Sequence, residues 1–370
     1  MALTMPSVTV TFKELGITAI SRAQHGIVAL VFTDDPAIDG LKIYGPEDIP
    51  ESAKEYTKEQ IELALTGYQT APRYILTFNQ AKKTTGSDGT SVTSVDYTDV
   101  LKRLGAAKFD WCAFPGINAD NAKVVADWIK SQRKRGHLVK AVLPNQAADY
   151  EGIVNYTNSY VKVGEKSYAT ADYCSRVVGI IAGTPSTISC TFAPLPEATE
   201  VEIWTPDELD DKVGKGEFFF FNDGEKIKVA RGINSFVTTV EGRGEDFQKI
   251  KLVDLLDMIK QDIEETAKES YIGKYANSES NRALLCSAIL GYFLQLESEG
   301  LLERAQNTAE IDIEAVKNWR LSNGLNTKDE LMSMADKDVK ALNIHDNVFI
   351  QCHLSPLDAI EDITINCEIE

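Results

Sequence analysis

The side chains best suited to chemistry are scattered through this chain. Its four histidines, His25, His137, His345 and His353, show neither H-x-x-x-H nor H-E-x-x-H spacing, which sets two imidazoles on one helix face toward zinc. Its six cysteines, Cys112, Cys174, Cys190, Cys286, Cys352 and Cys367, form no C-x-x-C pair. Mostly apolar neighbours suggest buried free thiols in a reducing compartment. No metal or other cofactor is expected.

The familiar catalytic loops are missing too. There is no G-x-x-x-x-G-K-S/T to cradle phosphates, no G-x-G-x-x-G after a strand and no G-x-S-x-G elbow. Glu241-Gly-Arg-Gly244 reads better as a turn than as an anion site. The carboxylates fall mostly on presumed helix faces, where solvation is their ordinary role, and no spacing singles out an acid–base pair.

The elements that would position a site nevertheless have a readable order. Gly26 to Phe32 is continuously apolar, a strand buried on both faces. Pro46 to Thr66 reads as loop and helix, stopped by Gly67. Tyr74 to Phe78 is a strand, and the polar stretch Ala81 to Thr93 a turn or mobile loop. A helix from Tyr97 to Leu104 leads to the strand Trp111 to Phe114. The helix Asn118 to Arg135 sets Val124, Val125, Trp128 and Ile129 on one face, and Leu138 to Leu143 follows as a strand. Val154 to Thr157 is another candidate strand, and Tyr168 to Ile181 becomes an apolar helix. This alternation implies βαβ units and a mostly parallel sheet. Ligands of such sheets bind beyond the strand C-terminal ends, here Phe114 to Asn118 and Leu143 to Gln146. Both are turns without an obvious nucleophile or base. A soluble α/β enzyme therefore rests on fold pattern alone.

Beyond residue 200 the character changes. Val201 to Trp204, Glu217 to Phe221, Lys226 to Ala230 and Phe236 to Val240 read as strands, with Asn222-Asp-Gly224 as a hairpin turn. Long helices follow. Leu252, Leu255, Leu256, Ile259 and Ile263 share one face of the first. Ser278 or Asn277 caps the second, which Gly300 ends. Asp312 to Ser322 is a third, and Thr327 with Glu330 is a capping box for a fourth. Val348 to Leu354 is a strand again. No internal repeat is visible.

Composition narrows the partners. The 370 residues are 43% hydrophobic and 25% charged, the profile of a soluble protein of two or three domains. No apolar run approaches the roughly 20 residues that span a bilayer, so membrane insertion is not expected. Met1 to Lys13 lacks the basic start and apolar stretch of a secretory signal, and the chain is expected to stay in the cytoplasm where it is made. With 56 acidic against 38 basic residues, the net charge is −18. Such a chain repels phosphate backbones, so nucleic acid is not an expected partner.

The two ends stand out. Val8, Val10 and Phe12 alternate with Ser7, Thr9 and Thr11. Ile363, Ile365, Cys367 and Ile369 alternate with Thr364, Asn366 and Glu368. Both have the period of an amphipathic strand. Such a strand carries a ladder of backbone donors and acceptors that must pair with a sheet edge. Two readings are open: both ends close the chain's own sheet, or they add to a neighbour's.

Four segments in order resemble the tail sheath proteins of contractile phage tails, in particular those of prophages and phage-like elements of Gram-positive bacteria. They are Pro6 to Leu15 with Ser21 to Leu30, then Val229-Ala-Arg-Gly-Ile-Asn-Ser-Phe236. Next comes Gly244-Glu-Asp-Phe-Gln-Lys-Ile250 with the helix to Ile263. The last is Tyr271-Ile-Gly-Lys-Tyr-Ala-Asn277, which runs through the next helix to Leu302.

The resemblance implies an α+β, multidomain fold. An inner α/β domain is built from the N-terminal arm plus the C-terminal third, with an inserted outer α/β and β-rich region. Residues 1–30 are the N-terminal arm and a strand of the inner core, 31–95 an outer inserted segment and 96–200 an α/β outer domain. Residues 201–245 are a β-rich connection, and 246–370 the C-terminal inner core with its terminal arm.

The implied function is that of a structural sheath subunit. It polymerises helically around a tail tube and contracts to drive the tube through a cell envelope. The implied partners are further copies in stacked rings, the tail tube protein, and the baseplate and tail terminator proteins. The setting is a virion tail, with assembly in the host cytoplasm. Val8, Val10, Phe12, Ile363, Ile365, Cys367 and Ile369 would then pair between subunits, with Glu14 to Ala23 and Pro356 to Asp362 as hinges. A tube or baseplate protein of the same particle is the alternative within this class.

Overall fold

Six of the seven residues of β1, Ile27–Thr33, send alternate side chains into two different cores. In this computed structural model, which describes residues 20, 25–85 and 92–369, the chain divides into two units. The larger comprises residues 23–261 and 356–370, and the smaller residues 1–22 and 262–355.

The larger unit is organised by a seven-stranded sheet. Its first strands are β1, β2 (Lys42–Ile43) and β3 (Tyr74–Gln80). A separate hairpin, β4 (Lys82–Thr85) and β5 (Val92–Val95), follows. The sheet continues with β6 (Trp111–Ala113), β7 (Lys140–Pro144) and β8 (Ile153–Tyr156). Next, β9 (Tyr160–Val163), β10 (Lys166–Ala169) and β11 (Glu200–Val201) make a small antiparallel sheet. Then β12 (Glu217–Phe218) joins the edge of the main sheet, and β13 (Phe220–Asn222) pairs with β14 (Ile227–Val229) across the Asn222-Asp-Gly224 turn. The main order is β12-β8-β7-β6-β1-β3-β2, parallel throughout except for β2.

A central parallel strand must be apolar on both faces, and β1 is. Val28, Leu30 and Phe32 enter the core beneath α1 (Glu55–Leu65) and, later in the chain, a helix at Thr170–Ala182. Ile27, Ala29 and Val31 enter the core that holds α2 (Thr98–Gly105) and α3 (Ala119–Lys134). The Thr170–Ala182 helix is α4. It crosses α1 so closely that a Cβ on Gly179 would lie 2.3 Å from the Ala64 carbonyl oxygen. The buried stripe of α3 is Ala122, Val125, Ala126 and Ile129, whereas Val124 is 51% exposed. After α5 (Pro206–Gly214) comes α6 (Ile250–Thr266).

A buried ionic cluster fastens α6 to the sheet and to α3. Arg133 of α3 donates to both carboxylate oxygens of Asp257, at 2.6 and 3.0 Å. Lys140 of β7 reaches Asp257 at 2.9 Å and Asp254 at 3.0 Å. Burial pushes the Asp257 carboxyl up, but Lys140 and Arg133 more than offset this and hold it below the usual carboxylate range.

The smaller unit contains α7 (Glu279–Ser298), β15 (Thr308–Ile311), α8 (Ile313–Ser322), α9 (Lys328–Ser333), α10 (Asp336–Ala341) and β16 (Ile350–His353). Ser278 caps α7 by accepting from the Asn281 N–H, and Thr327 and Glu330 form the expected capping box on α9. Arg282 of α7 donates to the Lys340 and Leu342 carbonyls, which ties down the end of α10. Cys286, Ile311, Val316, Val339 and Ile344 form the core between these elements.

Several expectations need correction. The strand read within residues 1–30 as part of the inner core is β1, in the middle of the main sheet of the larger unit. The boundary drawn between 31–95 and 96–200 cuts that sheet, because β3, β1 and β6 are hydrogen-bonded neighbours. The division between compact units falls at 261/262, not at 245/246. Phe236 to Val240 forms no sheet strand. The Val237 and Thr238 N–H groups donate to one Asp149 carboxylate oxygen, at 2.8 and 2.9 Å, and not to a neighbouring strand. Of Val201 to Trp204 only the first residue pairs. Cys352 and Cys367 are exposed, unlike the other four cysteines.

Candidate assembly segment and its anchor

The strand ends read as possible ligand sites serve the fold. Asn118 caps α3 by accepting from the Asn121 N–H at 2.9 Å. Glu241-Gly-Arg-Gly244 is a tight turn closed by Val240 and Arg243, with Gly242 at φ +79°.

The C-terminal segment is different. From Ile363 to Ile369 it forms no strand, and its apolar residues face solvent: Ile363 is 72%, Ile365 77% and Ile369 98% exposed. Cys367 is exposed as well. The alternation read from the sequence is therefore present without a sheet partner among the described residues. Val8, Val10 and Phe12, with all of the first hinge except Ile20 and most of the first resemblance segment, lie outside the described residues.

Just before this exposed stretch, the chain is held to the larger unit. Glu361 is the centre of the attachment. One of its oxygens accepts from Ser189 Oγ at 3.0 Å and Thr191 Oγ1 at 2.5 Å, and the other from Arg231 Nε at 3.0 Å. Arg231 also reaches Asp362 at 2.8 Å. Lys249 pairs with Asp358, and Lys251 donates to the Leu357 carbonyl. Burial works against the Arg231 charge, while Asp362 and Glu361 raise its pKa overall. Burial pulls the Lys251 ammonium below its usual value. The segment read as a hinge, Pro356 to Asp362, is thus tied at several points.

Gly232 makes the attachment possible. A Cβ there would lie 2.8 Å from Ser189 Oγ and 3.0 Å from Cys190 Sγ. The Gly232 N–H also donates to Thr191 Oγ1 at 2.8 Å. Displacing Ser189 or Thr191 would remove donors from Glu361. Sequence reading missed this arrangement because its partners lie some 110 to 170 residues apart. A signal was present all the same: Arg231 and Gly232 belong to the second resemblance segment, and Lys249 to the third.

The smaller unit supplies a complementary feature. β15 and β16 pair only with each other, so among the described residues each keeps one open edge. Ala309 and Ile311 turn inward, whereas Gln351, Cys352 and His353 are exposed.

The chain thus combines a mostly parallel α/β unit, a small sheet whose edges are open among the described residues and an exposed arm, the parts of a structural protein. The chain belongs to the phage tail sheath family. The profile of the phage tail sheath protein central domain matches residues 90–235, and that of the phage tail sheath C-terminal domain residues 243–370. A tail sheath protein of Clostridium phage phiCD119 is 33% identical over 98% of this chain and 99% of its own length. The phage-like element PBSX protein XkdK of Bacillus subtilis is 35% identical over 48% of this chain and 39% of that protein. The same fold occurs in the sheath tail protein of Desulfitobacterium hafniense, with TM-score 0.68 and 17% identity over 83% of this chain and 94% of that one. It also occurs in the contracted helical sheath of the anti-feeding prophage, with TM-score 0.67 and 13% identity over the full length of both chains. The chain is a tail sheath subunit, a structural protein, and among the described residues no helix is long and apolar enough to cross a membrane.

Proposed function

We propose that this subunit assembles helically around a tail tube by exchanging terminal strands with its neighbours, and that the assembled sheath contracts to drive the tube through a cell envelope. The carrying observation is the arm from Ile363 to Ile369. It has the alternation of a half-buried strand, yet its isoleucines are exposed and it has no strand partner among the described residues. The open edges of β15 and β16 offer the backbone ladder it lacks.

A strand added to a different patch on an identical neighbour is a heterologous contact, which generates rings and helices. Val8, Val10 and Phe12 serve as the second exchanged strand, while Ile363, Ile365, Cys367 and Ile369 supply the apolar face of the first. The tail tube, baseplate and tail terminator proteins are the other partners, and assembly takes place in the host cytoplasm. Contraction draws on the difference in interface free energy between two packings of the same subunits.

Deletion of residues 363–370 tests the reading. The shortened chain should remain folded and soluble and form no tubes by electron microscopy. Full-length tubes from it would exclude exchange of this arm.

A further inference from the structure

The tail reverses the usual rule of burial. Ile360 is 88% and Ile363 72% exposed, while the Glu361 carboxylate between them is only 9% exposed. Apolar side chains ordinarily go inward and acids outward, because an ionised carboxylate loses its hydration on burial unless it is paired. Here the acid is paired completely enough to go in. Two hydroxyls and a guanidinium converge on it, and charge-assisted hydrogen bonds of this kind are about twice as strong as neutral ones.

The pocket walls are built for this ligand. Ser189 Oγ and Thr191 Oγ1 lie 2.9 Å apart, and the Thr191 N–H donates to Ser189 Oγ at 3.1 Å. The Gly232 N–H occupies Thr191 Oγ1 as acceptor, which turns the Thr191 hydroxyl proton toward Glu361. Any side chain at position 232 would occupy the space of Ser189 Oγ. Lys249 and Lys251 extend the site along the tail to Asp358 and Leu357. The whole reads as a binding site for an extended acidic peptide.

We propose that Ser189, Thr191, Arg231 and Gly232 form a carboxylate pocket that roots the C-terminal arm to its own chain through Glu361. The movable part of the arm then begins at Ile363, and the body and the exchanged strand are joined without slack. For sheath assembly this consequence rests on the strand-exchange reading above, whereas the rooting itself does not. A rooted arm transmits a change in subunit orientation directly to the neighbour that holds the strand.

The test uses the full, unassembled chain and a zero-length carbodiimide cross-linker, which joins Lys249 to Asp358 only when they touch. Equal amounts of ordinary and 15N-labelled chain are mixed first. The expected product is a Lys249–Asp358 linked peptide whose halves carry the same isotope. In Glu361→Ala, which removes all three charge-assisted hydrogen bonds, its yield should fall by at least about tenfold, the scale of losing one of them, with the main cooperative thermal transition retained. Gly232→Val should lower it similarly. An absent link in the unaltered chain, a link that persists in Glu361→Ala, or isotopically mixed halves would each overturn the proposal. Tube formation is not measured, so a negative result leaves strand exchange to its own deletion test.

Discussion

Asp257 of α6 receives both terminal nitrogens of Arg133 from α3, at 2.6 and 3.0 Å, and the two side chains are 11% and 7% exposed. Lys140 of β7 shares the same carboxylate. One acid thus pairs with two buried cations from two elements, while Asp254 gives Lys140 and Glu151 gives Arg133 a second negative partner.

Removing Asp257 is therefore expected to cost more than removing an ordinary surface acid. Asp257→Ala leaves Arg133 without its bidentate partner, and breaking a buried pair in this way costs about 3–5 kcal/mol. Chemical denaturation of the two proteins side by side checks this. A loss below about 1 kcal/mol, the range of exposed pairs, would show that solvent reaches the cluster.

The same pair gives stability a pH dependence. The folded-state pKa of Asp257 lies below its ordinary value. A depressed carboxyl contributes stability that is present above its unfolded pKa, about 3.9, and lost as pH falls through the lower folded value. Unfolding midpoints of the unaltered chain and Asp257→Asn should differ most near neutrality and converge below about pH 4. A constant gap down to acid pH would count against the assigned pairing.

Gly179→Ala probes the close crossing of α1 and α4. The added Cβ would fall 2.3 Å from a backbone oxygen, so the helices must part. Overpacking of this kind costs about 1–3 kcal/mol, even though alanine is intrinsically the better helix former. Thermal unfolding should show a lower midpoint for the variant, and an unchanged or raised midpoint would contradict the helix spacing.

What was legible in the sequence follows from where each residue finds its partner. β1 was readable because a strand buried on both faces needs an unbroken apolar run, and Ile27 to Phe32 supplies one. The capping box at Thr327 and the turn at Asn222 were readable because their partners lie within a few residues. β15 was not seen: Thr308–Ile311 is four residues with only Ala309 and Ile311 inward, too short for alternation to stand out. Phe236 to Val240 looked like a strand, but Asp149, nearly 90 residues earlier, takes the backbone donors. The Glu361 pocket was hidden for the same reason. The alternation of the arm is plain in the sequence, but a strand requires a ladder, and among the described residues none pairs with 363–369.

Ile365→Lys asks directly which face of the arm is buried in the polymer. Ile365 is 77% exposed in the isolated chain, so the substitution should leave folding and solubility unchanged. Under the strand-exchange proposal its side chain lies on the buried apolar face in the sheath, with Ile363, Cys367 and Ile369. Desolvating an unpaired ammonium there costs several kcal/mol at every subunit contact. Thr364→Lys places the same charge on the opposite face, where it remains in water at little cost. Electron microscopy should show tubes for Thr364→Lys and none for Ile365→Lys at equal protein concentration. Equal assembly of both variants would mean that neither face is buried. The reverse outcome would mean that the strand pairs in the opposite orientation, with Thr364 and Asn366 inward. Since a one-residue slip moves every side chain to the other face, this pair of variants reads the register as well as the face.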